Sequence, residues 1–286
     1  MTLEGLAGRA YGPAGFAVSA AAVAEFVAAT GDDPARWGHH APPGFAAAVL
    51  FTVAPAFLAD PEVAPHCRSL LHAEQSFAWG GALPVGEELV VHGAVRRVRA
   101  RGPLRLVSFE VEASRPSGRW FYGEAGFVLS AEAAAGSTEE EEPPFERRAA
   151  CDPTLPGRLP ASGEVILPLR RSASRADLVR YAAATGDANP IHRDHEAARA
   201  AGLPGVVAHG LLLAAWFFQA AARFRPGSDP LQSARVRFRR PLRPAVAAAV
   251  TGRVAAEDAA GADLELALHQ EGGEAPVATA RVRVTP

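Results

Sequence analysis

Residues Ala183-Ala184-Thr185-Gly186-Asp187-Ala188-Asn189-Pro190-Ile191-His192 open with a pentapeptide that the chain uses twice. Ala28-Ala29-Thr30-Gly31-Asp32 repeats the first five of them. Each copy follows an aromatic residue, Phe26 or Tyr181, on a short helical pattern. Each is followed by an apolar helix candidate, about 45–58 in the first half and 210–223 in the second. Strand-like segments come next, at about 72–79, 87–99, 104–114 and 119–130, then again at 232–240, 245–256, 262–270 and 276–284. Arg101-Gly102-Pro103 and Glu271-Gly272-Gly273-Glu274 mark turns between them. One helix followed by an antiparallel meander, given twice, is an α+β plan. A helix apolar nearly all round must be covered on every side, so each sheet is expected to wrap its helix. Duplication further implies two halves side by side as a pseudo-dimer.

The division between the halves is expected at Gly136-Ser137-Thr138-Glu139-Glu140-Glu141-Glu142-Pro143-Pro144, an acidic block ending in prolines that reads as a linker. The expected domains are 1–131, a linker at 132–160, and 161–286.

The 286 residues are 49% hydrophobic and 21% charged, enough for a real core. A net charge of −2 gives no reason to expect nucleic acid or an anionic membrane as partner. All 29 basic residues are arginine, which excludes lysine Schiff-base chemistry. Cys67 and Cys151 are far apart and lack a CxxC partner, which points away from a disulfide framework or zinc thiolates and toward a reducing cytoplasm. No signal-peptide pattern is apparent. The longest apolar run, 206–222, contains His209 and Gln219 and reads as a buried core helix, not a membrane span.

The chemistry is concentrated in the second half. Asp187 and His192 lie five residues apart on a turn-rich loop, an acid/base pair able to serve one small space. His192 has a suitable intrinsic pKa for a base, about 6.5. Gly210 opens the apolar helix, so its N–H is an unpaired first-turn donor at the positive end of the dipole and suits an oxyanion. Asn189 and Pro190 hold the loop and are positioning residues. His192, Asp194 and His195 lack a further well-spaced ligand, so no metal is expected. His209 reads as a capping or core residue. Arg237, Arg239, Arg240 and Arg243 read as a solvated strand face, with phosphate pairing as the alternative. His72 and Gln75 read as structural.

The pattern Tyr181-x-x-x-Thr185-Gly186-Asp187-x-Asn189-Pro190-Ile191-His192-x-Asp194, then His209-Gly210, resembles the MaoC-like family of (R)-specific enoyl-thioester hydratases and 3-hydroxyacyl-thioester dehydratases. The resemblance covers nearly the whole chain and implies a double hot-dog, with a degenerate N-terminal and a catalytic C-terminal half. It implies Asp187 and His192 as catalytic and the Gly210 N–H as the oxyanion donor. Tyr181, His209, Leu211, Arg239 and Arg240 are expected around the substrate. It implies no cofactor beyond the CoA or phosphopantetheine that carries the substrate, with acyl-CoA or acyl-ACP as partner. Leu211 replaces the family's usual methionine. Phe218 falls near a position often serine, which is expected to narrow the acyl pocket.

In the first half, Asp33-Pro34-Ala35-Arg36-Trp37 follows Asp32, placing Trp37 where the base would be, and Pro43-Gly44-Phe45 stands in for His-Gly-Leu. One active site per chain is therefore expected. Dehydration in fatty-acid or polyketide synthesis is the leading expectation. Hydration in acyl-CoA degradation, a hot-dog thioesterase and a non-catalytic acyl-binding module remain the alternatives. Either a monomeric pseudo-dimer or a homodimer fits.

Overall fold

The structure is a computed structural model that describes residues 3–132 and 157–286. The acidic block at 136–144 and Cys151 lie outside the described residues.

The first half contains β1 (Ala10–Ala17), α1 (Ala20–Thr30), β2 (His40–Ala41), α2 (Ala46–Leu50), α3 (Ala54–Leu58), β3 (Ser69–Trp79), β4 (Leu83–Pro84), β5 (Glu88–Arg101), β6 (Leu104–Arg115) and β7 (Gly118–Ser130). The second contains β8 (Leu169–Arg171), α4 (Arg175–Thr185), α5 (His195–Ala200), α6 (Gly210–Ala222), β9 (Leu231–Phe238), β10 (Ala248–Asp258), β11 (Gly261–Gln270) and β12 (Ala278–Val284).

The repeated pentapeptide is a helix ending. α1 and α4 each finish at the threonine, and Gly31 and Gly186 follow in the left-handed region at φ 66° and 81°. A residue with a Cβ is strained there, so glycine ends the helix and turns the chain toward the aspartate. At the other end, Ser19 caps α1, and Ser174 and Asp177 form a reciprocal capping box on α4.

The two expected sheets are joined edge to edge. β3 pairs antiparallel with β9, giving one ten-stranded sheet ordered β1-β5-β6-β7-β3-β9-β12-β11-β10-β8. α6 lies within its curve, and every α6 residue after Gly210 is buried, as an all-round apolar helix requires. The first half's expected single helix at 45–58 is instead broken. A 3-10 turn at Pro43–Phe45 leads into α2, the helix stops at Leu50, and α3 restarts at Ala54. Pro55 explains the break: it has no N–H for the carbonyl four residues back, at Phe51, and its ring crowds that carbonyl. Proline is tolerated only in a helix's first turn, which is where α3 places it. Among the described residues, no helix is long and apolar enough to cross a membrane.

Candidate active site

The loop from α4 to α5 is built so that Asp187 and His192 project from one side. The Asp187 carboxylate accepts the Asn189 N–H (3.3 Å) and the Asn189 side chain accepts the Ile191 N–H (3.3 Å). Pro190 then starts a single 3-10 turn that carries His192. Nδ1 of His192 lies 2.8 Å from the Val207 carbonyl. A carbonyl can only accept, so Nδ1 carries the hydrogen and Nε2 keeps its lone pair as a base. The 203–209 segment that supplies this carbonyl is braced by His195, whose Nδ1 accepts the Val206 N–H at 3.3 Å. His195 is thus part of the loop's support.

Gly210 begins α6 behind an uncapped His209, and the first helix hydrogen bond comes from Leu212 to the His209 carbonyl (3.1 Å). The Gly210 and Leu211 amides therefore precede the hydrogen-bonded ladder. A Cβ at Gly210 would sit 3.3 Å from the Phe238 ring, so this position admits little beyond glycine.

Burial raises the Asp187 pKa, against the opposing pull of His192 and the Asn189 amide. Burial lowers that of His192, against Asp187 and the Val207 carbonyl. Each shift favours the uncharged form, the neutral acid and the neutral base that the pair needs.

Asp187, His192 and Gly210 border a cavity of about 630 Å³ between the halves. Leu211, Arg239 and Arg240 also line it. Tyr181 and His209 do not. His209 is fully buried, stacked on His192 with centroids 3.8 Å apart and an interplanar angle of 26°. Tyr181 packs behind it at 4.9 Å. The Asp187 backbone lies beside the His209 ring, yet neither ring nitrogen closes a hydrogen bond of good geometry. Burial holds the His209 pKa well down, so it is a neutral backing plate to the base and not a group on the cavity wall. Ligand atoms of Asp187, His192 and His209 lie within 4.8 Å of one another.

Phe218 does not narrow the pocket. It packs against Phe77 (4.9 Å) and Trp79 (5.2 Å), off the cavity wall. The wall comes from residues not singled out in the sequence: Phe51, Pro55 and Leu58 at the helix break, with Leu70, Phe127 and Phe238. Pro55 inside an otherwise helical pattern was the available signal. His72, expected to be structural, also lines this wall. Its ring stands between Phe127 (4.9 Å) and Phe238 (5.2 Å), and burial holds its pKa down at about 4.

Residues 160–261 match the MaoC like domain, and residues 6–120 match the FAS1-like dehydratase domain region. The fold is shared with a structure described as a MaoC-like dehydratase, at TM-score 0.75, 21% identity and 99% coverage of both chains. It is shared too with HtdX of Mycobacterium tuberculosis, at TM-score 0.67, 24% identity, and coverage of 96% of this chain and 100% of that one. A shorter match, 48% identical over 48 residues, links it to the 3-oxo-4,17-pregnadiene-20-carboxyl-CoA hydratase alpha subunit of Mycobacterium tuberculosis. That match spans 17% of this chain and 15% of the relative. The fold and the site define a MaoC-like double hot-dog protein. The second half carries a MaoC like domain and the first a FAS1-like dehydratase domain region, which together support a hydro-lyase.

Proposed function

We propose that the chain interconverts (3R)-hydroxyacyl and trans-2-enoyl thioesters, working as a dehydratase in fatty-acid or polyketide synthesis within the cytoplasm. The observation that carries this reading is the shared cavity onto which the free Nε2 of His192, the carboxyl of Asp187 and the first amide of α6 all open. In dehydration, Nε2 takes the C2 proton. The electron pair moves onto the thioester oxygen, where the Gly210 N–H holds the charge. The pair then returns to form the C2–C3 double bond as the C3–O bond breaks. Asp187, whose burial favours the protonated form, gives the departing hydroxyl its proton and water leaves. Transfer from His192 to Asp187 resets the site. Hydration runs the same steps backward. The large apolar wall supports acyl groups bulkier than crotonyl.

The test is enoyl absorbance with crotonyl-CoA, and with a longer enoyl-CoA, for the wild type beside Asp187→Asn and His192→Ala. Loss of absorbance with the wild type and near-complete loss of that activity in both variants supports the reading. Release of free thiol without hydration identifies a thioesterase and overturns it.

A further inference from the structure

Most of the outer face of the sheet is laced with ion pairs. Arg96 meets Glu110, Arg235 and Arg237 share Glu74, Arg253 and Arg281 share Glu265, and Arg283 spans Asp258 and Asp263. One region differs. At the tip of the β5–β6 hairpin, Arg99 and Arg101 are exposed, and their side chains have neither hydrogen bond nor ion pair among the described residues. Arg99 stands opposite Leu106, Leu106 opposite Val128, and Val128 opposite Leu71, while Arg101 stands opposite Leu104. Partners directly opposite on neighbouring strands share a face. This row points away from the core, because the alternate residues Val107, Phe127 and Leu129 are the buried ones. Leu71 is 43% exposed and Leu104 is 36% exposed, two of the few large apolar side chains left open to solvent.

The row ends at the cavity. Leu71 and Val128 line its mouth together with Arg239 and Arg240, which are exposed and form no ion pair. The result is an apolar strip leading into the site, with exposed arginines at both ends that form no ion pair among the described residues. Leu106, Val128 and Leu71 span two strand spacings, roughly 10 Å, about the width of one α-helix.

Resting on the reaction assigned above, we propose that this strip is the docking surface for an acidic, amphipathic helix of an acyl carrier protein, which presents its tethered acyl group to the cavity mouth. Charge complementarity and position select this partner. A CoA thioester whose carbonyl sits at Gly210 meets the arginines at the mouth. Arg99 lies three strand spacings from Leu71, roughly 14 Å, and serves a broader partner. The basic ends steer the carrier and the leucines seat its helix.

The experiment compares the wild type with Arg99→Glu/Arg101→Glu, and with the milder Arg99→Gln/Arg101→Gln. Two readouts are used: turnover of crotonyl-loaded bacterial acyl carrier protein beside crotonyl-CoA, and fluorescence anisotropy with labelled holo-carrier. Charge reversal is expected to lower kcat/KM on the carrier substrate and carrier binding by about ten-fold, with the glutamine pair intermediate. Crotonyl-CoA turnover stays within about two-fold, and the carrier effect shrinks with added salt. Equal losses on both substrates, no loss on the carrier substrate, or crotonyl-CoA turnover by a wild type that neither binds nor uses the carrier would overturn the docking surface and leave the reaction standing. Carrier binding that depends on the hairpin, with neither substrate turned over, supports the surface and overturns the reaction.

Discussion

Asp187 and Asp32 end the same Ala-Ala-Thr-Gly-Asp turn, and their surroundings send them to opposite ends. Asp187 opens on a cavity and is answered by an imidazole. Asp32 faces other protein side chains: Trp37, 2% exposed, stands where the base would be, with its indole N–H turned toward the carboxylate. Arg171 and Arg36 lend Asp32 their positive charge, and the Asp33 amide donates to it at 2.8 Å. Arg171, also 2% exposed, reaches in from the second half and donates to Gln219 at 2.7 Å, and Gln219 in turn donates to the Thr30 carbonyl at 3.1 Å. At the position matching Gly210, the first half has Gly44, which packs against Phe26 and Ala215 of α6 and does not line the cavity. Duplication thus produced one frame twice. In one copy the aspartate borders a cavity and in the other it meets protein side chains, and the polar groups there tie the halves together.

Paired substitutions break this comparison most sharply. Asp187→Asn is expected to lower kcat by on the order of a hundred-fold or more, while Asp32→Asn changes it by less than about three-fold. His192→Ala should match Asp187→Asn, and adding Trp37→His should restore nothing, because Asp32, Trp37 and Gly44 do not line the cavity that Asp187 and Gly210 border. Enoyl absorbance assays decide both. Recovery in the double variant would show that the first half retains a latent site.

The tie has a stability signature. Arg36 donates to the carbonyls of Ala222 (2.8 Å), Arg225 (2.6 Å) and Gly227 (2.9 Å), closing the C-terminal end of α6 from the other half. Arg36→Ala strips these carbonyls of a charged donor and is expected to cost about 2 kcal/mol, or about 5 °C in Tm, with turnover per folded molecule retained. Thermal melting alongside the crotonyl-CoA assay checks it. An unchanged Tm would mean that Arg36 fills the old site without bracing α6.

The working site was legible because its signals are local. Thr185-Gly186-Asp187 announces a helix end, Asn189-Pro190 a turn, and His209-Gly210 a helix start, each within a few residues. The duplicated α+β plan was legible from periodicity for the same reason. The β3–β9 join was not, since strand partners separated by about half the chain leave no local mark. The stack of Tyr181 behind His209 behind His192 also depends on how α4 meets α6, so two residues expected at the substrate lie a layer deeper. Phe218 failed as a pocket residue because helix spacing alone does not say which side of a fully buried helix faces the cavity.

The broken helix is where the silent half shapes the active one. Phe51, Pro55 and Leu58 form cavity wall that a continuous helix would arrange differently. Leu58→Trp is expected to lower kcat/KM for long or branched enoyl thioesters by about ten-fold and for crotonyl-CoA by less than about two-fold. Chain-length profiles for the two proteins check this. A uniform fall would place Leu58 in support of the catalytic loop instead of the acyl wall.

His72 gives the smallest effect and separates the halves by pH. Burial holds its folded pKa at about 4 against an unfolded value of 6.5. Between those values the unfolded chain binds the proton and the folded chain does not, so this share of stability is present above pH 6.5 and is lost as pH falls toward 4. His192 and His209, also lowered by burial, act in the same direction from the catalytic half. Asp187 and Asp32, raised by burial, act in the opposite direction, easing their cost as they take up protons. His72→Phe keeps an aromatic ring between Phe127 and Phe238 while removing one titrating group. Melting curves from pH 7 to about pH 5 should therefore show a Tm decline smaller than the wild type's by about 2–4 °C. An undiminished decline would assign the acid sensitivity to the stacked His192 and His209, and hence to the half that carries the candidate site.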